Sequence, residues 1–349
     1  TESIKSVHII GDMNDWTVDC DFLINYDNVK KVFWKNLSGL ISNKEYVFQY
    51  LIDGETRIGD PYTQKVSDPW NDGSISPSVY PDLIPYPEAA RPKNGEVPTI
   101  ASVLQTAQSN YSWEITSFKR HPQEKLNIYQ LHFRDFTSEG TYLAAIEKLD
   151  YLKRLGINAI ETLPVSEFEG NDSWGYNPNF YFAADKAYGK PDDYKKFVDE
   201  CHKRGIAVIG DLVLNHAFGT NPHARMYWDN LRNRPATNNP WFNAVSNFSN
   251  PAAQWGNDFN HESAHTKAFV DSTIVFWLKE FRIDGIRFDF TKGFGNTPYP
   301  NGTCGDEWGG CYDASRIALL KRMADKMWLV SFKGDVPWMH IGEVDAQPL

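Results

Sequence analysis

The stretch "FRIDGIRFDFTKGF", residues 281–294, places Arg287, Asp289 and Lys292 in a run otherwise apolar enough to be a buried strand. Charged side chains inside such a strand are costly unless they are paired or used in chemistry. Alternation puts Gly285, Arg287 and Asp289 on one side of the strand and Ile286 and Phe288 on the other. An arginine two residues before an aspartate on one strand face can hold that carboxylate ionised and oriented, as a nucleophile requires. The competing reading is a structural ion pair.

Outward from this stretch, strands and helices alternate from about residue 125. "LNIYQLHFRDF" (126–136), "INAIETLP" (157–164), "IAVIGDLVL" (206–214) and "RIDGIRFDF" (282–290) read as strands. Between and after them, "TYLAAIEKLDYLKRLG", "PDDYKKFVDECHKRG", "SAHTKAFVDSTIVFWLKEF" and "YDASRIALLKRMADKMW" read as helices, the second opened by Pro191 and closed by Gly205. Repeated βα units with apolar strands mean an α/β fold with a helix-covered parallel sheet, and a (β/α)8 TIM-barrel type is its expected closed form. Arg287 and Asp289 then face the barrel axis near the carboxyl-terminal mouth, where the strand "VIGDLVLNH" also brings Asp211, Asn215 and His216. The segment from about 217 to 263, rich in Asn, Pro and aromatics, reads as a loop-like insertion, and long insertions of this kind are usually functional.

The first 80 residues differ. Short alternating runs such as "SVHII", "KKVFWKNL" and "EYVFQYLIDG", separated by turn segments, predict a small Ig-like β-sandwich over residues 1–80. Prolines in "YPDLIPYPEAARP" predict an extended linker over 81–122, ahead of a barrel domain over 123–349.

A net charge of −10 disfavours a nucleic-acid partner, whereas 12 Trp, 17 Tyr and 21 Phe suit a neutral polar ligand that stacks on flat rings. No run approaches the ~18 apolar residues of a membrane span, and "TESIKSVHII" lacks a signal-peptide layout, so a soluble chain is expected. Cys304 and Cys311 flank "GDEWGG" and could close a small disulfide loop, the alternative being two free thiols. The "GDEWGG" loop lacks the basic residues of a phosphate site, and "HAFGTNPHA" and "HESAH" lack the HExxH spacing of a zinc hydrolase. No organic cofactor is expected, and no oligomeric state is readable.

Three motifs in order carry a resemblance. "SWGYNPNFYFA" (173–183), "DLVLNH" (211–216) and "GIRFDFTK" (285–292) are similar to the segment after the second strand and the first two signatures of the α-amylase superfamily, glycoside hydrolase family 13. "GDMNDW" and "YLIDGETRIGDPYT" resemble the β-sandwich carbohydrate-binding modules that precede many members. The resemblance implies an enzyme acting on α-glucans, in an extracellular or periplasmic setting. It implies Asp289 as the nucleophile and Arg287 as the group keeping it anionic. His216 and Tyr176 would contact the sugar at the scissile bond, Asp211 would brace the site from beneath, and Lys292 would reach the next sugar. Trp174 stands where many relatives place a histidine. Asn215 matches a calcium ligand of many amylases, while Gly293 occupies the place of a histidine that often supplies a carbonyl there. "WMHIGEVD" (338–345) offers Glu343 in a setting similar to the third signature, as general acid; the alternative is a surface glutamate.

About five βα units are countable by residue 349, so the barrel is expected to be incomplete, and the His-Asp pair of the family's fourth signature is not found in this sequence. The expected activity is retaining hydrolysis of α-1,4 bonds. The alternatives are a branching or other transglycosylating enzyme, and a non-catalytic glucan-binding fragment.

Overall fold

The computed structural model describes residues 4–92, 97–248, 250–295 and 311–330, and the backbone of Trp338–Ile341. The chain divides into two compact units, Thr1–Asn110 and Tyr111–Leu349.

In the first unit the strands are β1 (Val7–Gly11), β2 (Asn25–Asp27), β3 (Val32–Trp34), β4 (Glu45–Ile52), β5 (Thr56–Ile58), β6 (Val66–Ser67) and β7 (Ala101–Gln105). The main sheet runs β1-β4-β7-β6 with β5 added to β4, every pair antiparallel, and β2 and β3 form a separate hairpin. Ile10, Trp16, Val47, Leu51, Ala90, Ala101 and Val103 form its core.

The first unit runs past the expected boundary at residue 80, to Asn110. Strand β7, placed by the sequence reading in a linker, lies between β4 and β6, and Ala90 from the Pro-rich stretch is buried against it. Prolines preclude ladder bonds within 80–92 but do not prevent that stretch from covering a sheet face. Residues 111–122 of the expected linker belong to the second unit. Asp199 accepts the backbone N–H groups of Glu114 and Ile115, and Asp284 accepts from Arg120 Nε at 3.2 Å. Phe118 stacks on His202 with centroids 4.2 Å apart.

The second unit is built on a parallel sheet of β8 (Ile128–Leu131), β9 (Ala159–Thr162), β12 (Ala207–Leu212), β17 (Gly285–Phe288) and β18 (Trp338–Ile341), neighbours in that order. Adjacent, parallel and sequential is the order in which a (β/α) barrel winds. Short helix α1 (Phe133–Phe136) follows β8, and the expected helix over 141–156 splits into α2 (Tyr142–Ile146) and α3 (Leu149–Arg154). At the break, Glu147 and Lys148 N–H groups bond three residues back rather than four, which tightens the turn. Between β9 and helix α4 (Pro191–Lys203), β10 (Ser166–Phe168) and β11 (Pro178–Ala184) form an antiparallel pair. Gly205, just past α4, adopts φ +74°, the left-handed conformation that closes a helix.

The 217–263 insertion has structure of its own. β13 (His216–Ala217) pairs with β16 (Asn257–Asp258), and β14 (Trp228–Asp229) pairs with β15 (Arg234–Pro235), with the five-residue helix α5 (Pro222–Met226) between the first and third of these. Helices α6 (Ala264–Glu280) and α7 (Ala314–Val330) then flank β17 in sequence. Alternation along the strands sends Ile160, Val208, Ile286 and Phe288 into the core with Tyr194, Phe197, Ile274 and Trp277. The opposite faces carry Ala159, Ala207 and Ile209 low in the sheet and Asp211 and Arg287 above them. Among the described residues no helix is long and apolar enough to cross a membrane.

Candidate active site

The parallel register of β12 and β17 sets Asp211 directly beside Arg287, and Asp289 continues it by donating its N–H to Leu212 O at 3.1 Å. Arg287 Nη1 donates to Asp211 Oδ2 at 2.6 Å and to Asp289 Oδ1 at 2.8 Å. One guanidinium nitrogen therefore spends both of its protons on two carboxylates. Tyr176 closes the group: its hydroxyl donates to Asp211 Oδ2 at 3.0 Å, and its ring lies 5.8 Å from the guanidinium carbon. The Asp211 side chain is fully buried, whereas Arg287 and Asp289 keep 11% and 13% of their side-chain surface, so the solvent-facing edge of the cluster belongs to those two.

Burial pushes Asp211 and Asp289 above the usual carboxylate range, with Arg287 opposing it in both. Burial alone would lower Arg287, but Asp211 and Asp289 together raise it, so the guanidinium stays charged. Burial, reinforced by the charge of Asp211, raises Tyr176, which keeps it a phenol and a donor.

His216 lies beside Tyr176. Its ring is 3% exposed, and burial lowers it to about 4, so it is a neutral imidazole. Nε2 lies 2.9 Å from Tyr176 O, which can only accept, and Nδ1 lies 3.0 Å from Asn215 Nδ2. The proton is thus on Nε2 and Nδ1 accepts. Both nitrogens have partners within the protein, and His216 braces the Tyr176 backbone.

Tyr176 is also placed by Gly175, at φ +89°, where an added Cβ would lie 2.3 Å from Pro164 O. Gly175→Ala is expected to lower stability by about 2–3 kcal/mol through backbone strain and overlap. A denaturant titration checks this, and a midpoint equal to wild type would refute it.

The other expected residues are less concentrated. Trp174, on the loop between β10 and β11, is 61% exposed, and no hydrogen bond ties it to this network among the described residues. Lys292 lies on the turn Thr291–Phe294, three residues past Asp289, where its carbonyl accepts from Arg316 Nη1 at 3.4 Å. Glu343 lies outside the described residues. Cys311 is disulfide-bonded and Cys20 and Cys201 are free, while Cys304 lies outside the described residues.

Asn215 is the residue that would contribute to a calcium site. Its Oδ1 is buried without a hydrogen-bond partner, but it faces Gly293 so closely that a Cβ there would lie 1.6 Å away. Calcium takes about six to eight oxygens. Among the described residues no group of three or more His, Cys, Asp or Glu side chains is placed to hold a metal ion. One orphan amide oxygen against a glycine does not fit that cage.

Sequence reasoning missed Phe290, Phe248, Trp255 and Asn247, which connect the insertion to the turn after Asp289. Phe290 is left-handed at φ 40°, and the Trp255 ring lies 4.7 Å from its ring and 6.2 Å from that of His216. The only available signal was an aromatic spacing inside "SNFSNPAAQWGNDFN", which has no strand or helix period.

Residues 115–344 match the family model for the α-amylase catalytic domain. Malto-oligosyltrehalose trehalohydrolase of Saccharolobus solfataricus is 35% identical over 208 residues, 56% of this chain and 34% of that protein. The 1,4-alpha-glucan branching enzyme GlgB of Aliivibrio fischeri is 28% identical over 342 residues, 93% of this chain and 42% of that one. The chain thus spans less than half the length of these relatives. A putative alpha amylase of Salmonella typhimurium superposes with a TM-score of 0.66 at 23% identity, covering 97% of this chain and 45% of that one. The group B Streptococcus pullulanase SAP, solved in complex with maltotetraose, gives 0.60 at 23% identity, over 98% and 45%. At such identity these two speak to the fold alone, a TIM-barrel enzyme fold. With the catalytic-domain model matched across the strands that carry Asp211, Arg287 and Asp289, the chain belongs to the α-amylase family.

Proposed function

We propose that this chain carries the nucleophile side of a retaining α-glucan active site, with Asp289 attacking the anomeric carbon of an α-1,4-linked glucose. The observation that carries the reading is Arg287 Nη1 shared between Asp211 and Asp289. Asp211 anchors the guanidinium in the barrel, and the guanidinium holds Asp289 Oδ1, which leaves the second oxygen of Asp289 to attack. Retaining hydrolysis uses two carboxyl groups about 5 Å apart. As the bond from C1 to Asp289 forms, the bond from C1 to the leaving oxygen breaks, and a carboxylic acid, assigned to Glu343, protonates that oxygen. Water, or a sugar hydroxyl, then displaces the aspartate. The acceptor decides between hydrolysis and transfer, and relatives named for each outcome support the shared first step. Tyr176, half-buried beside the cluster, is the stacking surface for the sugar ring.

The test is to incubate the full chain with a slowly turned-over fluorinated α-glucosyl fluoride and map the adduct by peptide mass spectrometry. Label on Asp289 is expected. Label on another carboxylate would take the nucleophile role from Asp289, whereas glucan binding with no label and no release of reducing sugar favours the binding-fragment reading.

A further inference from the structure

Phe290, directly after Asp289, is left-handed at φ 40° and ψ 54°. A bulky residue there is strained unless its surroundings hold it. The holding groups come from the insertion. Phe290 is 2% exposed and forms with Phe248 and Ala253 a small apolar cluster separate from the barrel core. The Phe248 ring lies 5.2 Å from it, and Trp255 meets it edge-on at 4.7 Å. At the far end of the same turn, Asn247 Nδ2 donates to Gly295 O at 2.7 Å. Asn247 is itself fixed: its N–H donates to Asp258 Oδ2 at 3.3 Å, and Asn243 Nδ2 donates to the same oxygen at 2.8 Å. Asp258 lies on β16, whose partner strand begins at His216. Both ends of Phe290–Gly295 are therefore fastened to the insertion by groups outside the barrel strands.

A cation between Asn215 and residue 293 would join this same turn to the end of β12, but among the described residues no group of three or more His, Cys, Asp or Glu side chains is placed there to hold it. We propose that the insertion replaces such an ion: Phe248 and Trp255 against Phe290, and Asn247 on Gly295, pin the turn after β17 and so fix the direction of the Asp289 carboxylate without metal. Phe248 is then a positioning residue that acts through Phe290. The catalytic consequence rests on Asp289 being the nucleophile; the mechanical one does not.

The experiment compares the wild-type chain, the chain in EDTA, and the variants Phe248→Ala, Phe248→Leu and Asp289→Asn. Amide hydrogen exchange over 289–295 is read by mass spectrometry, together with kcat and KM on a chromogenic maltooligosaccharide. Phe248→Ala is expected to speed exchange in that turn by about tenfold or more, with α4 and β9 unchanged. Its kcat should fall by about 10²-fold at nearly constant KM, as misplacement of a reacting group does. Phe248→Leu should restore both within about threefold, since it refills the cluster. EDTA should change neither. Unchanged exchange over 289–295 in Phe248→Ala, or the same release produced by EDTA in wild type, overturns the proposal, and the exchange result decides this whether or not the chain turns over. Turnover retained by Asp289→Asn would defeat the nucleophile assignment and leave the exchange result standing.

Discussion

Asp289→Asn is expected to lower kcat/KM on a maltooligosaccharide by about 10⁴-fold or more, the scale of removing a covalent nucleophile, while the dissociation constant of the same ligand stays within about threefold. Asparagine has the shape of aspartate and still accepts from Arg287, so binding and fold should survive while attack on C1 does not. The pH profile adds an independent check. Burial holds Asp289 above the ordinary carboxylate value, with Arg287 opposing. Only the ionised form attacks, so the rate falls as pH drops through that raised value. The acid limb of kcat/KM should therefore lie above the ~4 of a free carboxylate. Turnover by Asp289→Asn within about tenfold of wild type, or an acid limb at or below the free-carboxylate value, would remove Asp289 from the nucleophile role.

Much of the barrel was legible because its signals are local. The run 281–294 shows a period of two with charges on one face, and the helix limits at Pro191 and Gly205 follow from backbone chemistry. Asp211 and Arg287 share a face with Asp289 because parallel pairing preserves register, and each strand announced its own polar end. Strand β7 was hidden because a five-residue strand after a proline-rich stretch has too little pattern to stand out. The use of His216 was not legible for a different reason. Its partner Tyr176 O comes from a segment 40 positions earlier, which no local period names. The hold on Phe290 is less legible still, since it depends on a left-handed residue meeting rings that lie 35 to 42 positions earlier.

Arg287→Met is expected to be the most destabilising single change in the site. Asp211 and Asp289 side chains are 0% and 13% exposed, and both accept from the one nitrogen that methionine lacks. Breaking a buried pair by removing one partner costs about 3–5 kcal/mol because a charge is left uncompensated. For a unit of this size that lowers Tm by about 10 °C. The sign of the pH dependence follows from linkage. Without the guanidinium, which opposes the effect of burial, the folded-state values of both carboxyls rise further above their unfolded ones. The folded state then binds more protons than the unfolded state between those values, so the variant loses stability as pH rises through that window and regains it as pH falls. Wild type already holds Asp211 up at about 8, so for that group the two proteins diverge only above that value, and the gap in Tm between wild type and Arg287→Met should widen as pH rises from about 7 toward 9, as measured by thermal denaturation across that range. A gap that is constant with pH, or that widens on acidification, would mean that Asp211 and Asp289 do not depend on Arg287 for their charge, and the shared guanidinium could not then be what orients the nucleophile.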